Sequence, residues 1–263
     1  MKIPCWKETV NFAVSVTRKN LQRKAFVTSP FRCFSSKTHD NGPDPISVPQ
    51  LSTAPKSPEG AEALYDDWSD YYDKSLKSWD YPAPTRVAQV LKTLYPEICE
   101  QVDAKVLDLG CGTGMSGEAL AEIGAAGGCG YTGFDISQKS LDLANAKGMY
   151  DTIIKGNLER ALPVESNSFS AVISVGVLSY VRSFELLFPE ICRVMKPKGL
   201  FVFTHRTELW RDDVGGCFSQ AEKLTLSQGW ECVSIGEPEP YMPLNPDVNE
   251  SSKTIRILAY RKN

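Results

Sequence analysis

The chain has 263 residues, 42% hydrophobic and 23% charged, which suits one α/β domain with extra sequence at an end. A formal net charge of -3 excludes a strongly basic domain of the kind that a broad nucleic-acid footprint needs. The eight cysteines contain no Cys-x-x-Cys pair, the two histidines form no His-Glu-x-x-His element, and no apolar run of about 18 residues occurs. A disulfide framework, a metal site and a transmembrane helix are therefore not expected.

Residues 1–40 are basic and poor in acids. Lys2, Lys7, Arg18, Lys19, Arg23, Lys24, Arg32 and Lys37 stand against Glu8 and Asp40, with Phe12, Val14, Val16, Phe26 and Val27 interleaved. That composition, without a long apolar run, predicts a mitochondrial transit peptide rather than a secretory signal. The stretch Arg32-Cys33-Phe34-Ser35-Ser36 resembles a mitochondrial processing site cut after Phe34. A plastid address and an uncleaved cytoplasmic tail are the alternatives. Residues 41–60, with Pro43, Pro45, Pro49, Pro55 and Pro58, read as a linker, and 61–263 as the folded domain.

The domain opens with a helix over about Ala61–Lys77, carrying Tyr65, Trp68 and Tyr72 at helical spacing, and a second over about Thr85–Tyr95. A first strand, Lys105–Leu109, runs into Gly110-Cys111-Gly112-Thr113-Gly114, and a helix follows to about Ile123. Strand two is Tyr131–Ile136. Ser137 is placed to cap a helix running to about Lys147. Strand three is Thr152–Lys155, strand four Ser170–Val175, and a helix covers Phe184–Met195. Pro197-Lys198-Gly199 is expected to turn the chain into strand five, Leu200–Thr204, with a further helix over about Gly215–Ser227. Two last strands, Glu231–Ile235 and Thr254–Tyr260, can pair as an antiparallel hairpin across a long loop. Strand and helix in alternation build a doubly wound, Rossmann-like α/β sheet, here of seven mostly parallel strands with the last antiparallel and helices on both faces.

Ligands in such sheets bind outside the carboxyl ends of the strands, where the strand order reverses. Asp108-x-Gly110-x-Gly112-x-Gly114 lies at that edge, and glycine there permits positive φ and close approach of a ligand to the backbone. Asp135 ends strand two, 21 positions beyond Gly114, where a carboxylate can accept from both ribose hydroxyls. Ile136, Asn157 and Leu158 can frame an adenine. Asp108 either braces the glycine turn or meets a ligand amino group directly. Gly112-Thr113-Gly114-Met115-Ser116-Gly117 also fits the dinucleotide pattern Gly-x-Gly-x-x-Gly, so a nicotinamide-dependent oxidoreductase is the rival reading. The Tyr-x-x-x-Lys expected of one such class is not found after strand four.

Val106-Leu107-Asp108-Leu109-Gly110-Cys111-Gly112-Thr113-Gly114 resembles the first motif of class I S-adenosylmethionine-dependent methyltransferases. Leu162-Pro163 with Phe169–Ser174, and Arg193–Leu200, resemble later segments of the same superfamily, over about residues 61–261. Tyr65-Asp66-Asp67-Trp68-Ser69, Tyr71-Tyr72-Asp73 and Tyr81-Pro82-Ala83-Pro84 are similar to the start of the Williams–Beuren-region methyltransferase-like group, as are Val175–Ser179 and Thr204–Thr207. Many relatives carry Asp where this chain has Asn157.

The resemblance implies S-adenosylmethionine as methyl donor, bound by Tyr72, Asp108, Gly110, Gly112, Gly114, Asp135, Ile136, Asn157, Leu158 and Val175, and in-line methyl transfer to an acceptor. The first helix would lid the cofactor, with Tyr72 against the sulfonium. His205, after strand five, is the one candidate for a base. Tyr180, Trp210, Tyr241 and Met242, with His205 and Arg206, can wall a pocket for a small-molecule acceptor. No dense basic patch with interleaved aromatics suggests nucleic acid. A cofactor-binding but non-catalytic partner subunit is the second rival.

Overall fold

The centre of the sheet is built from short runs with no polar alternation, as strands covered on both faces require. The computed structural model describes residues 57–101, 103–124 and 130–263, all within one compact unit, Ser47–Asn263. The expected transit peptide, its cleavage site and the linker as far as residue 56 lie outside the described residues. In chain order the elements are α1 (Pro58–Ser78), α2 (Ala83–Leu94), β1 (Lys105–Leu109), α3 (Met115–Glu122), β2 (Gly130–Asp135), α4 (Gln138–Ala146), β3 (Thr152–Lys155) and β4 (Phe169–Ser174). They continue with α5 (Leu187–Val194), β5 (Met195–Arg206), α6 (Thr207–Arg211), α7 (Cys217–Leu226), β6 (Trp230–Ile235), β7 (Glu239–Pro240), α8 (Val248–Ser251) and β8 (Thr254–Lys262).

The strand order is β3-β2-β1-β4-β5-β8-β6, with β7 paired to β8 outside that path. β3, β2, β1, β4 and β5 are parallel to their neighbours, while β8 runs antiparallel to β5, β6 and β7. This is the Rossmann-like sheet expected, with the two-residue β7 as an eighth strand. The order reverses between β1 and β4, so the crevice at their carboxyl ends is the place for a ligand.

Alternate residues of each strand feed opposite cores. Leu107, Val172, Phe201 and Phe203 pack with Phe188 and Trp230 on one face. Val106, Ala171, Ile173 and Val202 pack with Leu91, Leu120 and Tyr150 on the other. Ser137 caps α4 as expected, its hydroxyl accepting from Ser140 N at 3.0 Å.

Three expectations need correction. The first helix begins at Pro58, three residues before the predicted start, because Ser57 caps it by accepting from Gly60 N. Proline suits the first helical position, where its missing N–H costs nothing. Pro197-Lys198-Gly199 do not separate a helix from a strand. β5 already starts at Met195, and the turn residues are absorbed as an irregularity, a register shift against β4 between Phe169 and Ala171. Lys198 takes φ 66° there. The long loop after β6 also holds structure, since β7 and α8 interrupt it. No helix among the described residues is long and apolar enough to cross a membrane.

Candidate cofactor and active site

β1 carries the chain to the switch point, and the glycine turn then folds back against β2. Gly110 N and Cys111 N both donate to Phe134 O, at 2.7 and 3.1 Å. Gly110, Gly112 and Gly114 have φ of 75°, 51° and 92°, a region L-residues rarely adopt, and Gly114 is the residue preceding α3. Gly110 has a second constraint. A Cβ there would stand 2.5 Å from the Val177 side chain, so the turn also fits against the loop after β4.

Above the turn lies a cavity open to solvent. Of the expected cofactor residues, Tyr72, Gly110, Gly112, Asp135, Ile136, Asn157, Leu158 and Val175 line it together. They come from α1, the glycine turn and the ends of β2, β3 and β4. A smaller adjoining recess shares Tyr72, Gly110, Gly112 and Val175 and adds Tyr81, Pro84 and Met115. Gly114 and Asp108 line neither space.

Asp135 is fixed by the backbone around it. Its Oδ2 accepts from Gly112 N and its Oδ1 from Ser137 N, both at 2.9 Å. Burial pushes its carboxyl above the usual range, and those backbone N–H bonds oppose the push. Each oxygen keeps a further lone pair for a hydroxyl donor. Asn157 Oδ1 accepts from Glu159 N at 2.8 Å, which closes a turn, and Ile136 and Leu158 line the cavity with it.

Asp108 lies behind the lining, without reaching the cavity itself. Its Oδ2 accepts from Ser116 Oγ at 2.5 Å and Tyr150 Oη at 2.7 Å, so it braces the turn against α3 through two hydroxyls rather than backbone N–H groups. Oδ1 is buried without a hydrogen-bond partner among the described residues. Burial raises the carboxyl from 3.8 to about 6, against the lowering effect of the two hydroxyls. A raised folded value means the neutral form fits better, so the contribution to stability is full below about pH 3.8 and is lost as pH rises through about 6. Urea unfolding of the ligand-free protein at pH 7 and pH 5 should show the native chain gaining stability relative to Asp108→Asn on acidification. A pH-independent difference between the two proteins would contradict this.

His205 does not follow β5 but lies within it, because β5 continues to Arg206 in register with Ile255 of β8. It is 2% exposed, with Phe184 and Trp210 as ring neighbours, and lines neither space. Burial lowers the imidazole's pKa. The structure therefore does not bring this candidate base to the cavity. Trp210 and Met242, expected in an acceptor wall, are core residues instead: Trp210 packs on Phe203 and Phe218, and Met242 joins Trp68, Leu76 and Trp79. Tyr180 does line the cavity. Tyr241 lies edge-on to Tyr81, with Arg206 5.6 Å from its ring centre.

Sequence reasoning missed Gly156 and Gly176, which follow β3 and β4 and also line the cavity. A Cβ at Gly156 would sit 2.4 Å from the Phe134 ring, and one at Gly176 2.5 Å from Tyr81 Oη. Their signal was available, a glycine directly beyond a strand's carboxyl end.

Comparison with known proteins agrees with this geometry. Residues 107–203 match the family model described as a methyltransferase domain. A malonyl-[acyl-carrier protein] O-methyltransferase of Erwinia pyrifoliae is 34% identical over 44% of this chain and 42% of its own length. An 18S rRNA (guanine-N(7))-methyltransferase of Bos taurus is 34% identical over 29% of this chain and 26% of its own. The chain thus spans less than half the length of these relatives. A TehB-like SAM-dependent methyltransferase from Corynebacterium glutamicum has the same fold, with a TM-score of 0.55 at 20% identity over 76% of this chain and 99% of that one.

Proposed function

We propose that this chain is an S-adenosylmethionine-dependent methyltransferase that acts on a small-molecule acceptor, and that it falls in the Williams–Beuren-region methyltransferase-like group its α1 aromatics resemble. The observation that carries the activity is the Asp135 carboxylate, set by Gly112 N and Ser137 N in a cavity that also holds the glycine turn and the Ile136–Asn157–Leu158 frame.

These residues fit the cofactor. Asp135 would take the ribose hydroxyls, Ile136 and Leu158 the adenine faces, Asn157 the adenine edge, and Gly110 and Gly112 the methionine portion beside Tyr72. When bound, S-adenosylmethionine supplies a methyl carbon already activated by its positive sulfur. What remains for the protein is alignment and exclusion of water. Holding two reactants in line can supply up to about 7–11 kcal/mol of the barrier. Burial holds Tyr65, Tyr72 and Tyr180 protonated by pushing their phenols up, so they act as neutral walls and hydrogen-bond donors.

The small-molecule reading rests on the smaller recess that adjoins the cofactor cavity, walled by Tyr72, Tyr81, Pro84 and Met115. The Bos taurus relative acts on rRNA by its name, so the acceptor has to be tested. With methyl-labelled S-adenosylmethionine and a cell extract, label should enter a low-molecular-weight fraction. Label confined to RNA or protein would overturn the small-molecule reading.

A further inference from the structure

Helix α1 carries a row of acids at Glu62, Asp66, Asp70 and Asp73, spaced 4, 4 and 3 residues apart and therefore on one face. Every member of the row is engaged by a group outside the helix. Lys155, at the end of β3, reaches Glu62 at 2.7 Å. Ser137 Oγ, at the cap of α4, donates to Asp66 at 2.5 Å. Lys139 of α4 reaches Asp70 at 2.7 Å. Lys147, just beyond α4, bridges Asp73 at 2.6 Å and Glu118 of α3 at 2.8 Å, and Thr113 of the glycine turn donates to Asp73 as well.

The adjacent stripe of the same helix holds Tyr65 and Tyr72, which wall the cavity. The acids therefore fasten α1 to β3, α4 and the glycine turn while the tyrosines beside them cover what lies between. Two of the ties end on residues that shape the site itself. Thr113 lines the cavity, and Ser137 donates its own N–H to Asp135 Oδ1. The ion pairs are partly exposed, from Lys147–Asp73 with 22% and 28% of the side chains accessible to Lys139–Asp70 with 44% and 54%, so each is weak and screened by salt.

We propose that Glu62, Asp66, Asp70 and Asp73 are positioning residues that hold α1 down over the cavity by charge and polar contact, set Tyr65 and Tyr72 against the bound cofactor, and make its retention salt-dependent. The inference rests on reading the cavity as the S-adenosylmethionine site. A helix tied only by apolar packing would respond to salt in the opposite direction or not at all, since added salt does not loosen apolar contacts.

The test uses the full chain and S-adenosylhomocysteine as probe, with stopped-flow dissociation and hydrogen exchange of the amides of residues 58–78. Raising salt from about 0.05 to 0.5 M should speed dissociation several-fold as the pairs are screened. Asp70→Lys should speed it roughly fivefold and raise exchange in α1, and adding Lys139→Asp should restore both, a rescue that lost packing alone would not give. Binding by the native protein with dissociation and exchange unmoved by salt and by Asp70→Lys would overturn the positioning role and leave the cofactor reading standing. So would a double variant no better than the single one. No binding by the native protein would overturn the cofactor reading and the positioning role together.

Discussion

Asp135→Ala is expected to weaken S-adenosylmethionine binding at least tenfold. The carboxylate serves two sets of partners. Its oxygens accept from Gly112 N and Ser137 N, at 2.9 Å each, and so hold the glycine turn and the start of α4 in mutual register. Its remaining lone pairs face the cavity, where the ribose hydroxyls would donate. A hydrogen bond to a charged group contributes about 1.5–3 kcal/mol, so loss of even one accounts for about tenfold. Alanine removes the ligand's partners and leaves two backbone donors unsatisfied. Asp135→Asn should fall between native and Ala, because its single carbonyl oxygen can still accept. Calorimetric titration gives both values. An Asp135→Ala dissociation constant equal to the native one would remove Asp135 from the site.

Gly110→Ala is expected to cost about 2–5 kcal/mol of folding stability and to abolish detectable cofactor binding. Two separate costs add. At φ 75° an L-residue with a Cβ is strained by about 1–2 kcal/mol. The new methyl would also meet Val177 at 2.5, 2.6 and 2.8 Å, contacts that overpack the turn by a further 1–3 kcal/mol or so. Gly110 N is bonded to Phe134 O, so the turn cannot swing away without loosening its seat on β2. The double variant Gly110→Ala/Val177→Ala should recover only the part of the steric share owed to the two γ-methyls, because position 177 keeps its Cβ at 2.6 Å, and should keep the backbone share. Chemical unfolding of the three proteins separates them. A single variant as stable as the native chain would show that the turn can relax, contrary to this account.

The parts of the molecule that were legible in the sequence are those decided within a few residues. Lys105–Leu109 falls where it was read because a short apolar run ending in glycines has one comfortable conformation. Ser137 caps α4 and Asp135 ends β2 for equally local reasons. What escaped depends on partners far along the chain. His205 belongs to β5 and not to a loop because Ile255 and Arg256, some fifty residues on, pair with the strand's end. Asp108 is held by Tyr150, 42 residues away, and nothing near Asp108 announces that partner. The acids of α1 read as an ordinary solvated face until Ser137, Lys139, Lys147 and Lys155 are brought against them. Trp210 and Met242 were placed in a pocket wall on composition, and the depth of a side chain is a property of the packed molecule.

The glycine turn alone admits a dinucleotide as readily as S-adenosylmethionine, and the choice between them is the central claim. Calorimetric titration of the full chain with S-adenosylmethionine, S-adenosylhomocysteine and NAD in parallel decides it. The account predicts saturable one-to-one binding of the first two, lost in Gly110→Ala, and none of NAD. Binding of NAD with no heat from S-adenosylmethionine or S-adenosylhomocysteine would contradict it.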